Sequence, residues 1–295
     1  MNVLLLSYKP PFLSSNAFLA QLKQKYHLKK AGFSGTLDPF AQGSLLVASG
    51  AYTKLLRFIP TAPKVYEATL WLGAKSASLD IENMLSIESV PHFSETILRD
   101  VLKNLVGSIT YTPPSFSAKK VQGKRAYDLA RRGETVVLPQ ESMEVYSIEL
   151  LCYNHPFVSF RVSVSKGAYI RSLGLLIAEK LGVCGSLSAL KRISEGRLCA
   201  LVGEEIFLQP FDVLPFPVLV LDSSYKHSFY NGVKINLPTT LIQQARYTTP
   251  PHCNAQLHKS SIYIVKFDDF FSIIRIESDG NISYLLNRIH YAHTL

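Results

Sequence analysis

Polar and apolar residues alternate along two stretches of the chain, and each alternation predicts a half-buried strand. In residues 65–73 and 157–165 every second side chain is apolar or aromatic, so each stretch has one face suited to a core. Residues 3–6 are continuously apolar and predict a first buried strand, residues 43–50 (GSLLVASG) predict a short buried strand, and residues 187–198 predict another strand that carries basic side chains. The inward positions of the two alternating stretches are Tyr66, Ala68, Leu70 and Leu72, and Val158, Phe160, Val162 and Val164.

A spacing of three to four residues between apolar positions predicts helices between these strands. One helix follows the candidate capping residues at 14–16, one is capped by Ser94 and runs to residue 105, and one can be capped by Ser172. Shorter helices are predicted over 52–58 and in the second half of 117–133. If the backbone stays extended from Tyr169 to Arg171, both side chains point the same way, whereas on a helix they diverge.

Prolines 210, 215 and 217 mark a predicted domain boundary. Residues 218–295 contain short apolar stretches and two turn signals, Asn231-Gly232 and Asp279-Gly280, which are typical of a small, mostly β domain. The expected fold class is therefore α+β, with a larger domain over residues 1–217 and a smaller one over 218–295.

The composition limits the classes of partner. Of 295 residues, 47% are hydrophobic and 18% are charged, and the net charge of +9 points to nucleic acid or a membrane surface. No apolar run is long enough to span a membrane, residues 3–6 are too short for a signal peptide, and no large amphipathic cationic helix supports membrane binding. The four cysteines form no C-x-x-C pair, so we expect reduced thiols, no metal site and a cytoplasmic location.

Residues 32–45 (GFSGTLDPFAQGSL) combine three glycines, a proline and one carboxylate, Asp38, without helical or strand periodicity. Such a loop can present one acid with little bulk around it, which suits a nucleophile that meets a large substrate. The alternative is an ordinary turn, because Asp-Pro and Ser-Gly are common turn pairs. Residues 117–133 hold six bases against Asp128, and this segment either contacts phosphates or is a solvated surface.

In this order and spacing the motifs resemble those of the TruB family of tRNA pseudouridine synthases. The resemblance covers residues 3 to about 215 and rests on KPPFLSS, KKAGFSGTLDPFAQGSL, KVYEATLWLG, PPSFSAKKVQGKRAYDLARRG and SKGAYIRSL. It implies a pseudouridine synthase fold, that is, a mixed and largely antiparallel sheet flanked by helices and loops. It also implies that the C-terminal part is a PUA-like RNA-binding domain.

The resemblance further implies an activity and its residues. The enzyme would convert uridine 55 in the T loop of tRNA to pseudouridine, without a cofactor, and work as a monomer. Asp38 would be the nucleophile, Arg171 would pair with it, Tyr66 would stack on the flipped base, and Tyr169 would complete the catalytic set. A nearby guanidinium would lower the pKa of Asp38 and keep it ionised. The residues implied to bind the substrate are Lys9, Phe33, Gly35, Thr36, Lys119, Lys120, Lys124, Lys166 and Leu190.

The sequence also departs from the family pattern. Phe33 stands where relatives usually have a histidine, Tyr8 replaces an acid, and Phe12 replaces a glycine. The family segment T-x-T-x-D is loosened to residues 76–80 (SASLD). An alternative of another class is an RNA chaperone that binds and refolds tRNA without catalysis, but the retained Asp38, Tyr66, Tyr169 and Arg171 favour the enzyme.

Overall fold

The structure, a computed structural model, describes residues 1–117, 119–121, 123–238 and 261–291. Cys253 and parts of the predicted C-terminal domain lie outside the described residues. The helices in these ranges are α1 (Ser15–Lys25), α2 (Glu95–Lys103), α3 (Ala126–Arg131), α4 (Ile170–Lys180), α5 (Pro210–Val213) and α6 (Lys226–Asn231), with 3-10 turns at Gly50–Arg57, Ile81–Asn83 and Ser223–Tyr225.

Strands account for most of the regular structure. In chain order the described strands are β1 (Val3–Lys9), β2 (Ala31–Phe33), β3 (Gln42–Ser49), β4 (Lys64–Leu72), β5 (Ala74–Ser76), β6 (Met84–Ile87), β7 (Gly107–Tyr111), β8 (Lys120–Val121), β9 (Lys124–Arg125), β10 (Glu141–Asn154), β11 (Phe157–Val164), β12 (Gly185–Glu195), β13 (Leu198–Cys199), β14 (Glu205–Leu208), β15 (Val218–Val220), β16 (Ile262–Lys266), β17 (Phe270–Ile276) and β18 (Ile282–His290).

One large sheet organises the first two thirds of the chain. Its main path runs β14-β1-β3-β12-β4-β11-β10-β7, with β13 paired to β12 and β2 paired to β3. Among these pairings, β12 with β3 is parallel and the others are antiparallel. The predicted α+β class with a mixed, largely antiparallel sheet is confirmed. The alternation in β4 is confirmed too, since alternate residues from Lys64 to Leu72 are buried.

Two predicted helix starts are confirmed, because a serine side chain caps each of them. Ser14 accepts a hydrogen bond from the backbone of Ala17 at the start of α1, and Ser94 accepts one from Ile97 at the start of α2. The predicted cap at Ser172 is wrong, since α4 begins at Ile170 and Tyr169 is its N-cap residue. Ser172 instead donates its hydroxyl to the carbonyl of Thr112 at 3.0 Å.

The C-terminal residues form a second, four-stranded sheet in the order β15-β16-β17-β18. Asp279-Gly280 lies in the connection from β17 to β18, as its turn chemistry predicts. Asn231-Gly232 does not connect two strands. It ends α6, and Gly232 adopts the left-handed conformation that favours glycine at a helix C-terminus.

The two sheets share a hydrophobic cluster. Side chains of β1, β3 and the 3-10 turn at Gly50–Arg57 pack in it with side chains of β16, β17 and β18. Phe271 of β17 lies at its centre, with ring centroids 5.2 Å from Phe211 and 6.4 Å from Tyr52. The smaller unit is therefore joined to the larger one through buried apolar surface. Within the described ranges, no helix is long and apolar enough to cross a membrane.

Candidate active site

Asp38 lies in the loop that connects β2 to β3, and neighbouring elements hold this loop in place. The hydroxyl of Ser15, the first residue of α1, donates to the carbonyl of Leu37 at 2.8 Å and accepts from its amide at 2.9 Å. Leu37 and Phe40 on either side are buried. The Asp38 side chain keeps 30% of its surface exposed, so it is a partly open carboxylate between two buried side chains of the loop.

Lys9 also holds the Asp38 loop in place. Its side chain is fully buried, and its ammonium donates to the carbonyls of Pro10 at 2.9 Å, Leu13 at 2.6 Å and Pro39 at 3.3 Å. Burial lowers the pKa of Lys9 to about 8, although the charge of Asp38 opposes this. The substrate-binding role expected for Lys9 does not fit this placement, because the ammonium is committed to backbone carbonyls and has no open surface.

Arg171 pairs with Asp38 at the base of the site. Its Nη2 donates to Asp38 Oδ1 at 2.9 Å, and its Nε lies 2.9 Å from Oδ2. The same Nη2 donates to the carbonyl of Phe116 at 2.8 Å. The Arg171 side chain is only 3% exposed, so this cation is enclosed while the carboxylate it holds faces the opening.

Tyr169 and Arg171 do not share one strand face, because the chain turns into α4 at Ile170. Arg171 reaches Asp38 from the first turn of this helix. The ring of Tyr169 lies 6.2 Å from that of Tyr111, and Lys119 Nζ lies 5.9 Å from its centroid. Burial raises the pKa of Tyr169, so its hydroxyl is protonated at neutral pH.

A second carboxylate, Asp80, completes the surroundings of Arg171. It is buried, accepts from Arg171 Nη1 at 3.2 Å, from Ser78 Oγ at 2.5 Å and from the amide of Glu82 at 2.9 Å. Arg171 Nη1 also donates to the carbonyl of Ser78 at 2.7 Å. Sequence reasoning missed this residue. The signal for it is the aspartate that ends residues 76–80, where the family has T-x-T-x-D.

The pKa of Asp38 departs from the expectation. Burial is the largest effect and raises the pKa, the Arg171 charge lowers it, and the Asp80 charge raises it again. The net direction is upward from the ordinary value. The expectation that Arg171 lowers the pKa of Asp38 below its ordinary value is therefore wrong. Arg171 is shared between two carboxylates, and its charge does not offset the loss of solvation.

Tyr66 and Leu190 lie on the neighbouring strands β4 and β12, where Ala68 pairs with Leu190 in the antiparallel register. Both side chains are buried, and both belong to the apolar cluster that also contains Leu37 and Phe40 of the Asp38 loop. Burial raises the pKa of Tyr66, and the charge of Arg192 opposes the rise. Tyr66 is thus a protonated aromatic beside the candidate nucleophile.

The remaining predicted contacts lie at the rim. Gly35, Thr36, Lys120, Lys124 and Lys166 are exposed. Lys119 is half-buried and pairs with Glu141 at 2.5 Å, so its charge is partly neutralised by a residue distant in sequence. Phe33 ends β2 half-buried against the apolar cluster of β1, α1 and β3, with part of its ring open.

Gly35 is required where it stands. Its φ is +63°, and a Cβ built on it would lie 2.5 Å from Lys64 Nζ. Backbone of this conformation favours glycine, and the lysine head approaches the chain too closely for a side chain. Among the described residues, no group of three or more His, Cys, Asp or Glu side chains could hold a metal ion.

A carboxylate fixed by a buried arginine at the side of a mixed sheet defines a site suited to nucleophilic attack on a large substrate. Residues 23–170 match the family model described as TruB family pseudouridylate synthase, N-terminal domain. The chain is 50% identical over 293 residues to tRNA pseudouridine synthase B of Helicobacter hepaticus, covering 99% of this chain and 97% of that protein. It is 44% identical over 289 residues to the protein of that name from Campylobacter curvus, covering 98% and 99%.

Solved structures share the fold at lower identity. A chain of an H/ACA RNP bound to a substrate RNA containing 2'-deoxyuridine superposes with a TM-score of 0.64 at 20% identity, covering 98% of this chain and 85% of that one. A chain of a Cbf5-Nop10-Gar1 complex gives 0.63 at 21% identity, covering 98% and 84%. The chain belongs to the TruB family of pseudouridylate synthases.

Proposed function

We propose that this enzyme isomerises uridine to pseudouridine in tRNA, at position 55 of the T loop, with Asp38 as the nucleophile. The observation that carries the assignment is the pairing of a partly open Asp38 carboxylate with an enclosed Arg171, at 2.9 Å through two nitrogens. The family and the full-length relatives support the reaction, and this geometry supports the choice of residue.

The proposed reaction rearranges one bond. A carboxylate oxygen of Asp38 attacks ribose C1′ of the bound uridine, and the bond from C1′ to uracil N1 breaks. The base then rotates, its C5 bonds to C1′ and displaces the Asp38 oxygen, the C5 proton leaves to solvent, and N1 takes up a proton. The reaction consumes no other reactant, since the product is an isomer of the substrate.

Each neighbouring residue has a proposed part in this step. Arg171 aims the carboxylate and stabilises its charge, since charge-assisted hydrogen bonds are stronger than neutral ones. Tyr66 stacks on the uracil, which is worth roughly 1 to 3 kcal/mol, and carries a proton on its hydroxyl. Tyr169 lines the pocket beside Asp38, and Leu190 packs on the base.

A uridine inside a folded tRNA loop must leave its stack before Asp38 can reach it, at a cost of a few kcal/mol. We propose that Gly35, Thr36 and the open part of Phe33 meet the RNA next to the vacated position. Lys120, Lys124 and Lys166, which are exposed, would contact phosphates, and Lys119 would join them after leaving Glu141.

The test is tritium release from a tRNA transcript labelled at uridine C5, with the wild type and Asp38→Asn in parallel. The amide has nearly the shape of the carboxylate but is a poor nucleophile, so this variant should bind the RNA and release no tritium. Asp100→Asn, an exposed change on α2, should behave as the wild type. Tight binding without release by the wild type would instead support the chaperone alternative.

We further propose that residues 218–295 act as a PUA-like RNA-binding domain, and that the enzyme is a cytoplasmic monomer. The exposed cations of the smaller unit and its β-rich architecture support the first part. Sedimentation of the free protein and of its complex with tRNA would test the monomeric state. A dimer would have twice the mass when free and would bind either two RNAs or one.

A further inference from the structure

A second buried charge cluster lies beside the Asp38 loop, and the charge of its Arg192 also acts on the hydroxyl of Tyr66. It consists of Lys64 on β4 and of Arg192 and Glu195 on β12, all less than 8% exposed as whole residues. Glu195 Oε1 lies 2.7 Å from Arg192 Nη2 and 3.3 Å from Lys64 Nζ. Charged side chains are rarely buried unless paired, so the single carboxylate makes both cations tolerable at this depth.

Arg192 connects the two ends of the segment that carries Asp38. Its Nη1 and Nη2 donate to the carbonyl of Gly35 at 3.2 and 3.1 Å, and its Nε donates to the carbonyl of Ser44 at 2.8 Å. Asp38 lies between these two anchors. One guanidinium that holds both ends of this segment restricts the movement of the Asp38 loop.

Glu195 touches the loop directly as well. Its second oxygen, Oε2, accepts a short hydrogen bond from the hydroxyl of Ser34, the residue before Gly35. Oε1 of Glu195 thus pairs with Arg192 and Lys64, and Oε2 accepts from Ser34 of the loop. Removing it would leave Arg192 and Lys64 to repel each other beneath Gly35.

We propose that Glu195 is a positioning residue that keeps Arg192 on both ends of the Asp38 loop by balancing the buried cations. This rests on the synthase activity proposed above. Glu195 acts through Arg192 and the backbone, and does not itself meet the RNA.

The charge balance of Lys64, Arg192 and Glu195 predicts a specific pH dependence. The three groups carry one net positive charge, and Glu195→Gln would leave two. Burial is the largest effect on the pKa of Lys64 and lowers it from its ordinary value, Glu195 opposes the fall, and the charges of Arg192 and the more distant Lys166 add to it. In Glu195→Gln the lysine should therefore lose its proton at a lower pH, and above that pH the cluster returns to one positive charge.

The experiment measures single-turnover pseudouridine formation at saturating enzyme from pH 6.5 to 9, expressed as the variant rate over the wild-type rate. Glu195→Gln should be slower by about tenfold near neutrality, since small misplacements of a reacting group cost this much or more. The deficit should shrink as the pH rises. The double variant Lys64→Met/Glu195→Gln should recover much of the rate at pH 7, with RNA affinity within about threefold of wild type throughout.

Two further variants keep the test decisive if Glu195→Gln folds poorly. Glu195→Asp retains the charge but is too short to reach both Ser34 and Arg192, so it should be slow at every pH. Glu205→Gln, which removes an ion pair with Lys25 at the far edge of the sheet, is the matched control and should keep the wild-type rate. Folding of each variant is checked by its thermal transition.

The outcomes separate the two proposals. A Glu195→Gln rate within twofold of wild type, or a deficit that neither raised pH nor Lys64→Met relieves, would overturn the positioning role. Absence of product with the wild type would instead overturn the proposed function.

Discussion

Arg171 holds Asp38 with two nitrogens while a third, Nη1, bonds to the buried carboxylate of Asp80 at 3.2 Å. One guanidinium therefore serves two acids of unequal exposure, since the Asp80 side chain is 2% exposed and that of Asp38 is 30% exposed. Buried Asp80 holds Arg171 in place, and Arg171 in turn holds the more exposed Asp38. This arrangement determines how the site should respond to pH and to substitution.

The rate of pseudouridine formation should fall on acidification at a higher pH than an ordinary aspartate would require. Burial raises the pKa of Asp38, and the proposed attack requires the ionised carboxylate, so lowering the pH through this pKa removes activity. Single-turnover rates from pH 4 to 8, with circular dichroism at each pH to confirm folding, would measure this. A rate that stays flat down to the ordinary aspartate pKa of about 3.9 would contradict it.

Asp80→Asn should lower the maximal rate of pseudouridine formation and move its acid limb to lower pH. The amide can still accept from Arg171 and Ser78, but it removes a charge that raises the pKa of Asp38. The acid limb of the profile should therefore move to lower pH, while the maximal rate falls by about tenfold because Arg171 is held less firmly. Asp100→Asn is the exposed control. An acid limb that moves to higher pH would refute the assigned coupling.

Tyr66 should contribute by its ring and by its hydroxyl in separable amounts. Tyr66→Phe keeps the ring, so RNA affinity should be retained while the rate falls if the hydroxyl moves a proton. Tyr66→Leu removes the ring and should weaken binding of the flipped base by roughly 1 to 3 kcal/mol. Fluorescence anisotropy with a T-arm RNA, run beside single-turnover assays, measures both. Equal affinity for the two variants would argue against stacking.

Glu141→Gln should tighten RNA binding, which is unusual for a change at a distance from the nucleophile. Glu141 pairs with Lys119 at 2.5 Å, and its charge opposes phosphate. Lys120→Gln and Lys124→Gln should each reduce the salt slope of binding by about one, and Lys119→Gln should reduce it less because Glu141 already occupies that cation. Titrations at several salt concentrations test this, and three equal slopes would show that the ion pair is irrelevant.

Phe271→Ala should destabilise the catalytic part although Phe271 belongs to the C-terminal sheet. The ring is fully buried between Phe211 and Tyr52, and truncating such a side chain costs about 3 to 5 kcal/mol. Trp71 on β4 is the single tryptophan of the chain and reports on the large sheet. Its fluorescence transition should shift to lower denaturant. An unchanged Trp71 transition would mean that the two units unfold independently.

The sequence was sufficient where one local rule dominated. Alternation predicted β4 and β11 because one face of each strand is buried, and serine caps placed the starts of α1 and α2. The family motif brought Asp38 and Arg171 together across 133 positions, which local patterns cannot do.

The rest depended on tertiary contacts. The family resemblance implies that Lys9 binds the substrate, and only the fold shows that its ammonium donates to three backbone carbonyls. The sign of the pKa shift of Asp38 needed the burial of the loop and the position of Asp80, and neither is encoded nearby in sequence. Similarly, the start of α4 at Ile170 and not after Ser172 was decided by packing, since the Ser172 hydroxyl is taken by Thr112.

The unequal exposure of the central ion pair has a consequence for inhibitor discovery. A small molecule that reaches this ion pair meets the oxygens of Asp38, whereas the guanidinium of Arg171 is enclosed. The accessible partner is thus the carboxylate, although the protein as a whole carries a charge of +9. Anionic compounds would be attracted to the protein at long range but would find no open cation in this pair, so screening libraries rich in hydrogen-bond donors are better matched to Asp38.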